Sequence, residues 1–559
     1  MAPSLLHLHT YFFFPFAIER ETVSKGRVEW QKQRYWINGL DQCIAAQSQP
    51  ERCGVIHRLG VWQRSSYVRS DMDSPAYQDM VFFHPFVRRI FFDVTEESSS
   101  DDREALIRCY RIPLDGERKV FFGAADARGR RASVQVTDLR LFLFANGMGI
   151  LSIGIEAPNV SVHDALWINE AMRKIYPSSG RQLREGRGPN HVWLAIEQDG
   201  REEIVVEERF EQCRMVGFQP PLSAVICALL YFLDYSRHEY EQLLDERMIV
   251  YSYAALDTSS VAPAFEQSEA YETLLSRFLY VDHDGPDFRY EPAFTRGQMQ
   301  EHVYRRWAHE GTYYGFTSYS NVTLCLGVYD RGEHAVREGF LIHRMFDTRY
   351  YLMAIVALFY RATLLDYAQK TALVSRRLYR DQESGKISRE NVEIANALRA
   401  EFLHFSNYWY FEELANKDEE IEHFTLQCRA YRVGAMKAEV EQEIEKLNVS
   451  LHTYNQTRST EAVNRLAVLS LIFGFGAVVT GFFGMNFGGL FSQIFFEPMP
   501  EYVPVHQFAI IAVALMALGA VAFGVYLIAA NPADYRDIVL PAQKKPRRRL
   551  RWFSLKKSV

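Results

Sequence analysis

Leu466 to Phe483 reads LAVLSLIFGFGAVVTGFF, 18 residues without a charge. That is just long enough for a hydrocarbon core of about 30 Å. Phe508 to Ala530 reads FAIIAVALMALGAVAFGVYLIAA, again uncharged, and Asn531-Pro532 stops it. Core helices of water-soluble proteins seldom run so far without a charge. The two segments are therefore expected to form a transmembrane hairpin over 466–530, with spans 466–483 and 508–530 and an outer loop at 484–507.

The basic residues give the expected orientation. Lys544, Lys545, Arg547, Arg548, Arg549, Arg551, Lys556 and Lys557 follow the second span, and Arg458 and Arg465 precede the first. The loop between the spans has no Lys or Arg and only Glu497 and Glu501 as acids. Positive charge stays on the cytoplasmic side. Both termini are thus expected in the cytoplasm of a multi-pass protein of the plasma or bacterial inner membrane, with lipid as a partner. The basic tail at 531–559 sits on an acidic body: its last 19 residues, 541–559, hold eight Lys/Arg and no acid, and without them the chain has 55 Lys/Arg against 69 Asp/Glu. That balance argues against a nucleic-acid partner. The seven cysteines are scattered and never form CxxC, which excludes a zinc cluster or a disulfide scaffold. The first residues, MAPSLLHLHTYFFFPF, have no Lys or Arg ahead of the apolar run and fit neither a secretory signal nor an Arg-rich transit peptide.

Upstream, residues 1–332 read as a cytoplasmic α/β domain. Leu139–Ile155 holds two apolar runs around Asn146-Gly147, a hairpin signal. His191–Glu207 repeats the pattern around Asp199-Gly200. Val81–Val94 reads as a further strand, and Val162–Ile175 and Leu222–Tyr240 read as helices. Residues 333–465 read as a helical region and stalk. From Lys417 to Phe483 there is no proline, and Gly434 is the only early glycine. Val433, Met436, Val440, Ile444, Leu447, Leu451 and Tyr454 recur every three or four residues, the seam of a packed or coiled-coil helix. Unbroken, that helix would be roughly 100 Å long. The apolar runs Leu222–Leu233 and Leu352–Leu365 are too short or carry Arg361, and read as core.

Gly484-Met485-Asn486 closes the first span. With this tripeptide at the outer end of the first of two C-terminal spans, the chain resembles the CorA magnesium transporter family from about residue 340 onward. The resemblance implies a homo-oligomeric, pentameric funnel, with Gly484, Met485 and Asn486 as selectivity filter and Asn486 as the ion-contacting residue. The physics suits it. Mg2+ dehydrates reluctantly and keeps several waters, so its mouth needs neutral oxygens that hydrogen-bond a water shell. Glu497 and Glu501 would concentrate cations at the entrance, or are an ordinary solvated loop.

Toward the N-terminus from the tripeptide, helical spacing picks out Gly481, Ala477, Gly474, Ser470, Ala467, Val463 and Thr460, one face of mostly small residues. It is either a pore face or a packing face between spans. Counting back from the tripeptide, the family's two pore-lining Met positions fall on Gly474 and Val463, its inner Asn falls on Thr460, and Leu466 matches a constriction residue. Val463 and Leu466 are therefore expected as a hydrophobic gate, with a wider middle constriction.

Other constellations are weaker. His7 and His9 share one face of a strand, but a metal site needs further ligands. Asp282-His283-Asp284-Gly285 reads as a short acidic turn rather than a cation-sensing loop. Arg181, Arg184 and Arg187 read as a surface loop rather than a site for an anionic ligand, and Asp418, Glu419, Glu420 and Glu422 as a solvated helix face rather than an intracellular cation sensor. No Ser/His/Asp or Cys/His pattern is legible, so no enzyme activity and no cofactor is expected. The expected function is a divalent-cation channel passing Mg2+, with a regulatory role for that ion left open. The alternatives are a ligand-gated CorA-like effector of a signalling or defence system, binding an unidentified cytoplasmic ligand, and a cytoplasmic binding domain merely anchored by the hairpin.

Overall fold

The computed structural model describes residues 3–19, 36–49, 53–65, 81–91, 106–114, 119–176, 180–214, 220–244, 246–257, 260, 269–283, 290–326, 341–383, 388–484 and 503–530. The chain divides into two compact units, one drawn from 1–376 and 398–442, the other from 377–397 and 443–551.

The first unit is built on a 13-stranded sheet: β1 Ser4–Ile18, β2 Gln63–Arg64, β3 Ile107–Arg111, β4 Val120–Asp126, β5 Arg131–Phe144, β6 Met148–Ser161, β7 Pro189–Gln198, β8 Arg201–Arg209, β9 Tyr240–Gln242, β10 Ile249–Leu256, β11 Val303–Tyr304, β12 Thr312–Phe316 and β13 Ser320–Cys325. The main order is β11-β12-β13-β10-β1-β6-β5-β4-β7-β8, with β2 on β3, β3 on β5 and β9 on β1. Neighbours are antiparallel except for the parallel pair β10 and β13. The N-terminal region is thus an α/β sheet domain, as its patterning suggests.

Strand β1 lies between β10 and β6 and is covered on both faces, so it reads as a nearly continuous apolar run rather than an alternation. Phe12, Phe14 and Phe16 enter the main core with Leu8. On the other face His7, His9, Tyr11 and Phe13 meet the short helix Leu341–Met345, the π-helical turn Phe346–Tyr350 and the start of the helix Tyr351–Glu383. Tyr251 of β10 stacks on Phe346 at 4.2 Å and donates to its carbonyl at 2.7 Å. Tyr351 donates to Ser152 Oγ of β6 at 2.9 Å.

Both hairpins form where the turn residues place them. At Asp199-Gly200 both residues take positive φ, 52° and 74°, the two-residue arrangement that matches strand twist. At Ala145-Asn146-Gly147 only Gly147 does, at 99°. Asn146 instead accepts from the Met148 amide at 3.2 Å and donates to Thr363 Oγ1 at 3.0 Å.

Three expectations are corrected. The strand read at Val81–Val94 is a bridge at Phe83, paired with Ala415, followed by a helix at Pro85–Phe91. Pro85 suits the first helical position, and the Arg88 guanidinium folds back onto the carbonyls of Phe83 and Val81. The helix read at Leu222–Tyr240 is confined to Ala224–Leu229. Beyond it Asp234 accepts from the Ser236 amide and hydroxyl, a side-chain turn that competes with helix. The single helix from Lys417 is two, Asp418–Ala430 and Val433–Gly484. Arg432 takes φ 57° between them, with neither Gly nor Pro to mark the break.

Gly123 on β4 sits directly opposite Trp193 on β7. A Cβ there would come 2.0 Å from the buried indole, and forced overpacking costs about 1–3 kcal/mol. Gly123→Ala is accordingly expected to lower the thermal midpoint of the purified chain. An unchanged midpoint would show that the Trp193 pocket has room to yield.

Candidate functional site

Two helices among the described residues are long and apolar enough to cross a bilayer, and their burial separates them. In Ile342–Glu383 the apolar window has mean hydropathy 1.3 and is 72% buried. Its Arg361 lies over the Tyr431 ring and donates to the Ser318 carbonyl, so the part of this helix up to Arg376 packs within the first unit, as its charge implies. In Val433–Val478 the window has mean hydropathy 1.5 and is only 11% buried. Leu471 is 75% exposed and Val478 71%. The helix Val503–Ala530, with an apolar stretch at Ala514–Tyr526, likewise exposes Phe508, Leu515, Leu518 and Tyr526. Contiguous exposed apolar surface of this extent fits lipid or partner subunits rather than water.

Within the second unit these two helices touch along one seam. Leu469 and Gly476 are buried. A Cβ on Gly476 would lie 3.5 Å from Val521, and one on Gly524 would lie 3.2 Å from Phe473 and 3.6 Å from Ile472. The other face of the long helix carries Thr460, Val463, Leu466, Ala467, Ser470, Gly474, Ala477 and Gly481, all exposed. A Cβ added at Gly474 or Gly481 would meet nothing within 4 Å. At about 100° per residue the small residues of this stripe fall roughly a quarter to a half turn away from the Leu469–Gly476 seam. Thr460 donates its hydroxyl to the Gln456 carbonyl at 2.9 Å, which leaves its oxygen lone pairs as acceptors. Gly484 is the last residue of the helix. Met485, Asn486, Glu497 and Glu501, and the basic tail at 531–559, lie outside the described residues.

Farther back, the seam residues Val433, Val440, Ile444 and Leu451 are buried, and Met436, Leu447 and Tyr454 half-buried. Glu439, Glu441 and Glu445 between them are exposed.

In the sheet domain, the weaker clusters resolve differently. Arg181 and Arg187 both pair with Glu185, at 2.6 and 3.1 Å. Asp282 accepts from Tyr290 Oη at 2.6 Å, and His283 and His163 both face the Arg130 guanidinium. Burial beside that cation brings His283 down to about 4. Asp284 and Gly285 lie outside the described residues. The acidic helix start is not uniformly solvated. Glu422 binds Tyr304 and Arg306, but Glu420 is 1% exposed, and burial raises its carboxyl above the ordinary range. His7 and His9 gain a partner that the sequence does not reveal: His343, whose Nε2 lies 2.7 Å from His9 Nδ1.

The fold and these helices define a class: an α/β sheet domain joined to long helices, two of them apolar and open to a surrounding phase. The sequence comparison bears on one stretch of the chain. Residues 365–528, under a third of the chain, match the family described as CorA-like Mg2+ transporter protein. That stretch is thus a CorA-like transporter domain by similarity, and its apolar helices support membrane insertion. No curated protein and no solved structure matches the chain.

Two variants probe these assignments. Gly524→Leu must displace Phe473 and is expected to lower the thermal midpoint in detergent, at about 1–3 kcal/mol for overpacking. A neutral result would dissolve the seam. Glu420→Gln removes a carboxyl whose pKa is raised by folding, a group that costs stability above its unfolded pKa. The variant is expected to melt higher than the parent at pH 7, with the gain vanishing as the pH falls toward about 4.3; a gain that persists in acid would contradict the burial cause.

Proposed function

We propose that the chain is one subunit of a homo-oligomeric divalent-cation channel that passes Mg2+, with the filter at Gly484-Met485-Asn486 and the exposed stripe from Gly481 to Thr460 facing the axis. The observation that carries this reading is the position of the stripe. It does not serve the contact between the two helices of one chain, so a face of small residues and hydroxyl oxygens is left for other copies of the chain and for the ion. Asn486 side-chain oxygens, repeated by symmetry, would hydrogen-bond the water shell of Mg2+, which gives up water reluctantly. Val463 and Leu466 supply an apolar ring below, a gate that works by dewetting. Glu497 and Glu501 raise the local cation concentration. The basic tail and the Lys/Arg-free loop favour cytoplasmic termini. A pentamer is the number that the family resemblance favours.

A second reading rests on the 13-stranded domain, nearly all of which precedes the matched segment. It makes the chain a ligand-responsive branch, in which a cytoplasmic ligand moves the gate through unequal affinity for open and closed states.

Mg2+ uptake into vesicles containing the full chain tests the channel. Asn486→Ala removes about 1 kcal/mol of hydrogen bonding per subunit, and symmetry multiplies the loss, so uptake is expected to fall at least about tenfold. A Cβ at Gly474 meets nothing within 4 Å in its own chain, so Gly474→Leu is expected to leave the packing between the two helices of one chain intact while blocking uptake. Undiminished flux in both variants would reduce the hairpin to an anchor.

A further inference from the structure

The face of β1 turned toward Leu341–Met345 gathers three imidazoles from opposite ends of the sheet domain's sequence. One nitrogen each from His7, His9 and His343 lie within 4.8 Å of one another. His9 is 4% exposed, and His7 and His343 are half-buried. His9 Nδ1 and His343 Nε2 are 2.7 Å apart, and Glu156 Oε1 of the neighbouring strand β6 lies 2.8 Å from His7 Nε2. Ordinary core packing does not require this arrangement: β1 next presents Tyr11 and Phe13 to the same helical segment, and aromatic rings fill that space.

We propose that His7, His9 and His343, with Glu156 turning in from its pairing with His7 Nε2 as fourth ligand, form a tetrahedral site for a transition cation of the Zn2+ class in the sheet domain. Three imidazoles and one carboxylate are a ligand set that Zn2+, Co2+ and Ni2+ favour and Mg2+ does not, since Mg2+ takes oxygen ligands in an octahedron. Bonds of 2.0–2.1 Å at the tetrahedral angle place ligand nitrogens about 3.3 Å apart. The 2.7 Å pair must open by about 0.6 Å and the widest pair, within 4.8 Å, must close by up to about 1.5 Å, movements within reach of side-chain rotation. Thr137 Oγ1 sits 3.5 Å from His9 Nε2, the outer-shell partner that leaves Nδ1 for the ion.

The surroundings agree. Arg140, whose charge acts on His9, is paired with Asp138 and lies over Tyr351. Asp347 is held by Tyr11 Oη. Glu156 thus brings one negative charge to offset a divalent ion. Occupancy would clamp the segment that opens the helical region, Leu341 to Tyr350, onto the central strand of the sheet.

The test uses the full chain in detergent, stripped of metal by a chelator, then titrated with Zn2+ and with Co2+ in excess Mg2+ to occupy oxygen sites. One Zn2+ per chain is expected to survive Mg2+ competition and raise the thermal midpoint. Co2+ is expected to give the intense visible bands of a four-coordinate site, and X-ray absorption of the Zn2+ form an imidazole-rich shell at about 2.0 Å. His343→Gln is expected to weaken binding at least tenfold, as is His7→Gln, with the parent circular dichroism retained. Full Zn2+ affinity in the doubly substituted chain, a weak octahedral Co2+ spectrum, or displacement by Mg2+ would overturn the proposal. The spectra of the unsubstituted chain decide it even if the variants misfold. Ion flux is not a readout, so the result stands apart from the fate of the channel reading.

Discussion

A hydrocarbon phase offers no hydrogen bonds, so any segment that enters it must satisfy its own backbone and present apolar side chains outward. The helices at Val433–Gly484 and Val503–Ala530 meet that requirement where they are uncharged: their backbones are helical and their Leu, Val, Phe and Ile side chains stand open. The rest follows from the same constraint. One seam, at Leu469, Gly476 and Gly524, is used for packing. The remaining perimeter stays open, and the proposed channel would use it for lipid and for other copies of the chain. Small residues there suit that proposal, because close approach around an axis tolerates little side-chain bulk.

The sheet domain solves a different problem. Its central strand is apolar on both sides, so it needs two covers. The main core supplies one, and the residues from Leu341 to Tyr351 supply the other through stacked rings and hydroxyl bonds to Ser152 and the Phe346 carbonyl. The helical segment before the CorA-like region is therefore part of the sheet domain's own packing. The imidazole cluster lies in that cover, where metal chemistry and packing share the same residues.

Legibility in the sequence followed the range of the interaction. The two hairpins could be read because Asn146-Gly147 and Asp199-Gly200 act locally. The uncharged runs were visible because hydrophobic length needs no partner. At Val81–Val94 apolar content suggests a strand, but Pro85 opens a helix and Arg88 secures the chain before it. The break at Arg432 carried no Gly or Pro. Glu420 looked like its acidic neighbours, and only the packing of Asp418–Ala430 against the sheet domain hides it. His343 lies 334 residues from His9, so no spacing rule could join them.

The buried helix Ile342–Glu383 has a consequence for biosynthesis. The hydropathy of its apolar window would qualify it for a bilayer, yet 72% of that window is buried. The ribosome releases β1 and its companion strands well before this helix emerges, and domains made first tend to fold first. Prompt assembly of those strands gives the helix a protein destination ahead of the insertion machinery. A nascent chain slow to complete its sheet would expose a third greasy segment to the translocon, and the number of crossings would then depend on folding speed.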